Sequence, residues 1–239
     1  MALPWHTVTL VGIINENGNT RRFFLEFDDL DYFDFKSGQF VKLEIKEGLI
    51  RSYSIASSLK KTKRIELLIV KNDQGELTPM LFDEVAIGSK LKIQGPFGNF
   101  LLPTNPNETF NGDVCFIATG TGIAPMRSMI QDLIFGGFKG QIFLIFGNRT
   151  IEGLFYREKF EALEKLHPSF HFYPTLSRET REIWKGKKGR VHTLYQNIYR
   201  DKRPCDFYIC GWAEMVKEAK ENILALEYEN SHIHIENYG

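Results

Sequence analysis

A chain of 239 residues, 43% hydrophobic and 25% charged, has the make-up of an ordinary globular protein with length enough for two modest cores, which excludes a fibre or a disulfide-stapled miniprotein. Thirty Lys and Arg balance thirty Asp and Glu, so net charge gives no argument for a nucleic-acid or membrane partner. Three cysteines, Cys115, Cys205 and Cys210, form neither a disulfide framework nor a CxxC pair, and no segment approaches the roughly 20 apolar residues that span a bilayer. The expectation is a cytoplasmic monomer, complete as it stands, with no membrane span, no nucleic-acid partner and no metal.

From His6 to about Leu102 the chain reads as short runs rich in Val, Ile, Phe and Leu, punctuated by Gly, Asn and Asp: "TVTLVGII", "RRFFLEF", "FVKLEI", "RSYSIA", "IELLIV" and "KLKIQ". Such runs predict a small antiparallel barrel or sandwich. The prolines and polar residues of "LPTNPNETFNGD" read as a linker, placing the domain boundary at residues 1–104 and 105–239. Beyond it the strands "DVCFIA", "QIFLIF", "FHFYPT", "DFYIC" and "HIHIE" alternate with helical patterns near Ala124 to Phe135, Leu154 to Leu166, Val191 to Tyr199 and Ala213 to Leu226. That alternation predicts an α/β domain with a mostly parallel, doubly wound sheet.

The first strand of this second half runs into "GTGIAP", at the carboxyl edge where such sheets bind ligands. Gly120 and Gly122 let the backbone turn sharply and approach a bulky anion, the following helix offers unpaired amides, and Pro125 suits the start of that helix. A dinucleotide fingerprint would carry a third glycine and an acidic residue ending the second strand. Here that strand ends in "FGNR", and an arginine suits a 2′-phosphate better than a free hydroxyl. On spacing alone the turn is also compatible with a plain tight connection.

In the first half, "RSYS" places Arg51 and Tyr53 on one face of a strand, with Ser54 turned away. An arginine, an aromatic ring and a hydroxyl suit a phosphate, a planar ring and a ring nitrogen, although a surface strand with one half-buried tyrosine gives the same pattern. About 20 residues on, "KNDQGELTPML" offers a turn at Gly75 and Thr78 at an N-cap position, a second anion site. Two phosphate-binding turns, one per domain, imply two phosphorylated ligands.

The ordered set "RSYS", "GELTPML", "GPFGNF", "GTGIAP", "ICGWAEM" and a terminal "ENY" resembles the ferredoxin-NADP reductase family over nearly the whole chain. The resemblance implies an FAD-binding antiparallel barrel followed by an NADP(H)-binding α/β domain. It implies that Arg51 binds the flavin phosphates, Tyr53 lies against the isoalloxazine, and Ser54 sits near flavin N5. Val70 and Lys71 would pass beside the flavin, and Gly75, Leu77 and Thr78 would hold the pyrophosphate. Gly120, Thr121, Gly122 and Pro125 would form the nicotinamide-nucleotide loop, and Cys210 and Gly211 would approach the nicotinamide. Glu236 would lie near the reacting centre and Tyr238 would cover the flavin. Ser54, Cys210 and Glu236 are thus the candidate catalytic residues.

For the nucleotide, Arg149, Ser177, Arg178 and Arg190 resemble positions that bind the 2′-phosphate in NADPH-dependent members; a solvated basic rim, or use of NADH, stays open. Relatives with an iron-sulfur domain need four cysteines, so the one-electron partner is expected to be a separate carrier, ferredoxin or flavodoxin. The alternatives are the reductase component of an oxygenase or other multi-subunit system, and a flavin electron-transfer subunit with no turnover of its own.

Overall fold

The computed structural model describes residues 3–58 and 62–238. The chain divides into two compact units, one running to Leu101 and including Arg127–Met129, the other made of Leu102–Met126 and the chain from Ile130 onward.

The first unit is built from β1 (Trp5–Asn17), β2 (Thr20–Phe27), β3 (Phe40–Lys46), β4 (Leu49–Ser54), β5 (Arg64–Val70), the short helix α1 (Leu77–Asp83) and β6 (Lys90–Phe97). The strands lie in the order β4-β3-β6-β1-β2-β5, and every pair is antiparallel. Period-two alternation sets the faces: in β2 the side chains of Phe23, Leu25 and Phe27 are buried while Phe24 and Glu26 are less so. A bridge between Ile55 and Leu67 joins the chain just after β4 to β5, and the Ala56 amide donates to the Glu66 carbonyl at 2.8 Å. These contacts tie the two edge strands together and close the expected barrel. Leu77, Leu81 and Phe82 of α1 complete its core, and α1 packs against β3 and β4.

The second unit contains α2 (Pro106–Thr109), β7 (Asp113–Thr119), α3 (Ile123–Phe135), β8 (Ile142–Asn148), α4 (Arg157–Leu166), β9 (Phe170–Leu176), β10 (Lys187–Lys188), α5 (His192–Ile198), β11 (Cys205–Trp212), α6 (Ala213–Ala225) and β12 (Ile233–Tyr238). Its strands run in the order β10-β9-β8-β7-β11-β12, all parallel. β7 and β8 are buried almost throughout, as parallel strands covered on both faces must be. One face carries Cys115, Ile117, Phe143 and Ile145 under Tyr195 of α5 and Val216 and Ala219 of α6. On the other face Phe160 of α4 meets Phe170 and Phe172 of β9. Among the described residues no helix is long and apolar enough to cross a membrane.

Two local expectations change, and one short strand is added. The linker is not structureless, because Pro106 starts the turn α2, where a missing amide costs nothing. Helix α4 begins at Arg157 rather than near Leu154, since Tyr156 at its N-cap has a left-handed φ of 59°. The charged pair Lys187–Lys188 forms the short edge strand β10, held by its register with Thr175 and Leu176.

Candidate functional site

From β7 the chain steps outward through β8, β9 and β10, then returns to the other side of β7 with β11 and β12. The strand order therefore reverses between β7 and β11, and in open α/β sheets ligands bind outside the carboxyl ends of the strands at such a point. Gly120–Gly122 form a single 3-10 turn that runs straight into α3, and no side chain caps either element. Pro125 is thus the third residue of α3 rather than its first, still within the turn whose amides lack helical acceptors.

Close packing selects the glycines here. A Cβ on Gly122 would lie 2.4 Å from the Cys210 carbonyl oxygen, and one on Gly211, whose φ is +143°, would lie 2.2 Å from Thr119 Oγ1. Loop and strand end are fastened further by the Trp212 amide, which donates to Thr119 Oγ1 at 3.3 Å. Gly120 differs: its φ is +56°, and the nearest atom to a Cβ would be Trp212 Nε1 at 3.7 Å. A Cβ there would meet only an ordinary contact, with the exposed Trp212. The motif "ICGWAEM" contained Trp212, but nothing in sequence separated it from a helix-start residue.

Parallel register sets Cys210 opposite Glu236, Gly211 opposite Asn237 and Trp212 opposite Tyr238. Burial pushes the Cys210 thiol up, the Glu236 charge adds to the rise, and a hydrogen bond from Tyr238 works against it. Burial also raises the Glu236 carboxyl to about 7. The candidates Cys210, Gly211, Glu236 and Tyr238 are therefore brought together, with a neutral thiol beside a carboxyl able to hold or yield a proton near neutrality.

Along the same edge, the segments after β8 and β9 are laced together. The Ser177 amide donates to the Asn148 carbonyl at 2.9 Å and the Arg178 amide to the Arg149 carbonyl at 2.9 Å; Ser177 Oγ also reaches the Asn148 carbonyl, at 3.3 Å. Arg149 and Arg178 are both exposed, and Asn148 Nδ2 beside them is a buried donor with no hydrogen-bond partner among the described residues. Arg190 is separately engaged, with Nη1 3.4 Å from Glu218. Arg181, absent from the sequence expectation, is wholly committed to carboxylates, lying 2.6 Å from Glu152 and 2.6 Å from Glu179.

In the first unit, Arg51 is exposed and Tyr53 half-buried on β4, while Ser54 is buried. Burial pushes the Tyr53 hydroxyl up to about 12 against the opposing charge of Arg51. Thr78 is not an N-cap: the cap residue is Glu76, with no side-chain cap bond. Thr78 Oγ1 instead accepts the Asn72 amide at 2.8 Å and donates to the Asn72 carbonyl at 3.2 Å, and the Gly75 amide closes the same turn on the Asn72 carbonyl at 2.9 Å. Leu77 is buried in the barrel core, which leaves only its backbone for a ligand. Val70 ends β5 exposed, and Lys71 is paired with Asp83 at 2.9 Å. Arg51 and Tyr53 stand on β4, against which α1 packs.

Comparison with known proteins matches residues 7–101 to the oxidoreductase FAD-binding domain and residues 116–221 to the oxidoreductase NAD-binding domain. Ferredoxin--NADP reductase B of Sorangium cellulosum is 30% identical over 233 residues, 91% of this chain and 91% of that protein. The chain belongs to the ferredoxin-NADP reductase family. Other relatives are longer: the phenol hydroxylase P5 protein of Acinetobacter pittii is 30% identical over 211 residues, 86% of this chain and 58% of that protein. The chain spans about three fifths of the length of several curated relatives of that kind. Among solved structures, the Amycolatopsis cytochrome P450 reductase GcoB superposes with a TM-score of 0.89 at 26% identity, over 98% of this chain and 70% of that one. A ferredoxin NADP+ reductase from Neisseria gonorrhoeae, solved with FAD and NADP, shares the fold at a TM-score of 0.83 and 23% identity, over 98% of each chain.

As a member of the ferredoxin-NADP reductase family, the chain carries an FAD-binding domain and a nicotinamide-nucleotide-binding domain of the oxidoreductase type. Its residues suit both groups. The exposed Arg51 guanidinium and the uncapped α1 turn match the diphosphate of FAD, and the glycine turn at the carboxyl end of β7 and the buried Asn148 Nδ2 donor match a nucleotide at the switch point.

Proposed function

We propose that the protein oxidises NADPH through FAD and delivers the electrons to a separate one-electron carrier, ferredoxin or flavodoxin. FAD, when bound, would supply acceptance of one hydride, two electrons at once, and release of those electrons singly or in pairs. In this reading Arg51 and the Gly75–Thr78 turn hold the FAD phosphates, the Tyr53 ring backs the flavin, and Ser54, Val70 and Lys71 border it. Gly120, Thr121, Gly122 and Pro125 carry the nucleotide pyrophosphate. Cys210 keeps its proton because burial disfavours the thiolate, and Glu236, raised to about 7, holds or yields a proton at its carboxylate oxygen at working pH.

The observation that carries the choice of NADPH is the pair of exposed arginines, Arg149 and Arg178, on backbones bonded directly to each other. Two guanidinium forks suit a phosphate dianion. Arg190 would join them only by sharing its charge with Glu218. Three free, buried cysteines support a reducing compartment, the cytoplasm.

Anaerobic titration of the yellow protein, read at the flavin absorbance, tests this directly. NADPH should bleach the flavin at far lower concentration than NADH, and the reduced protein should pass electrons to ferredoxin or flavodoxin; equal potency of the two nucleotides contradicts the reading. A second reading, the reductase component of an oxygenase, is supported by relatives named as such, including the reductase component DmpP of phenol 2-monooxygenase in a Pseudomonas strain. A dedicated component should copurify with its partner, whereas a reductase serving a diffusing carrier should not.

A further inference from the structure

Glu179 follows Arg178 directly, and where Arg178 is exposed its neighbour turns inward: the Glu179 side chain is 2% exposed. A buried carboxylate needs partners, and this one has four. Oε2 accepts the Ile151 amide at 3.0 Å and Arg181 Nη2 at 2.6 Å; Oε1 accepts the Arg181 amide at 3.0 Å and Arg181 Nε at 2.7 Å. The remaining nitrogen of the guanidinium, Nη1, meets Glu152 Oε1 at 2.6 Å. Ile151 stands two residues after Arg149, and Glu152 follows it. One carboxylate thus fixes both arginine-bearing segments, the one leaving β8 and the one leaving β9.

Arg181 reads in sequence as another cation of the rim, yet with both faces taken by carboxylates it offers no fork to a phosphate. From this we propose that Glu179, with Arg181 and Glu152, is a positioning residue for nucleotide selection: it holds Arg149 and Arg178 at a fixed spacing matched to one phosphate dianion, so that binding does not have to order two loops that repel each other. The proposal rests on the NADPH reading and adds to it the residues that set the geometry. The Glu179 carboxyl is held down near 2, chiefly by hydrogen bonds from Arg181, so the clamp stays ionised throughout the working pH range.

The test uses FAD-loaded protein and two nucleotides that differ by one group, adenosine 2′,5′-bisphosphate and 5′-AMP, with dissociation constants measured calorimetrically. The parent should prefer the bisphosphate. In Glu179→Gln, which keeps the shape and one acceptor but loses the charge, that preference should fall about tenfold with 5′-AMP affinity unchanged, and the Ile151 amide should exchange with deuterium faster. Arg181→Lys, half-exposed and retaining its charge while losing the fork, should shift the preference in the same direction and serves if the glutamine variant does not fold. A purely structural role would lower the melting temperature and leave the ratio alone, and a ratio equal to the parent's in a folded variant overturns the proposal. A parent ratio near one would instead sink the 2′-phosphate reading, and the clamp's role with it.

Discussion

The switch point and the arginine rim lie along one sheet edge of the second unit and are built on opposite terms. At the switch point, Gly122 and Gly211 are pressed so closely on Cys210 and Thr119 that a single carbon has no place. Along the rim, Arg149 and Arg178 stand in solvent on backbones laced by hydrogen bonds, and charge is arranged by Glu179, Arg181 and Glu152. Where atoms are in backbone contact, a change is felt by every substrate. Where an exposed cation reads one group, a change is felt only by the ligand that carries it. On the proposed reading, the first region serves the reaction and the second the choice of nucleotide.

The largest effect should come from Gly122→Ala. Its φ of −59° would tolerate alanine, so the penalty is steric alone, against backbone atoms of Cys210 and Gly211 at 2.4–2.8 Å. Overpacking of this kind costs about 1–3 kcal/mol of stability, and a displacement at the nucleotide loop should lower turnover on the order of a hundredfold with NADPH and NADH alike. Denaturant midpoints and steady-state rates with both nucleotides check it; a loss confined to one nucleotide would erase the division between the regions.

A smaller effect belongs to Glu236. Its folded carboxyl titrates near 7 against an ordinary value of 4.5, so the folded state favours the protonated form. The associated stability is present in full below about 4.5 and is lost as pH climbs to about 7. Urea unfolding between pH 4 and 8 should show this decline, and Glu236→Gln should flatten it. An identical slope in the variant would move the titration to another group.

Much of this was legible in sequence because it rests on local patterns. The six barrel strands and five parallel strands follow from apolar runs, and the family motifs named Cys210, Gly211 and Glu236, which the register of β11 and β12 brings side by side. The reading went astray where a role depends on a partner distant in the chain. Thr78 has the spelling of a cap, but its hydroxyl is spent on Asn72. Lys187 and Lys188 have no strand pattern of their own, and they form one through their register with Thr175 and Leu176 at the end of β9. Glu179 was invisible as a clamp because its acceptor role is completed by the Ile151 amide, 28 residues away and beyond a different strand. Arg181 likewise resembled its neighbours until its two carboxylate partners were seen.

The central claim, that the rim reads the 2′-phosphate while the switch point serves both nucleotides, is tested most directly by Arg178→Ala. The Michaelis constant for NADPH should rise on the order of ten- to a hundredfold, the loss expected for a charge-assisted hydrogen bond in a partly wet site. The constant for NADH should barely move, and the rate at saturating NADPH should survive, since the adenine end binds ground and transition states alike. Equal losses for both nucleotides, or none for either, would contradict the account.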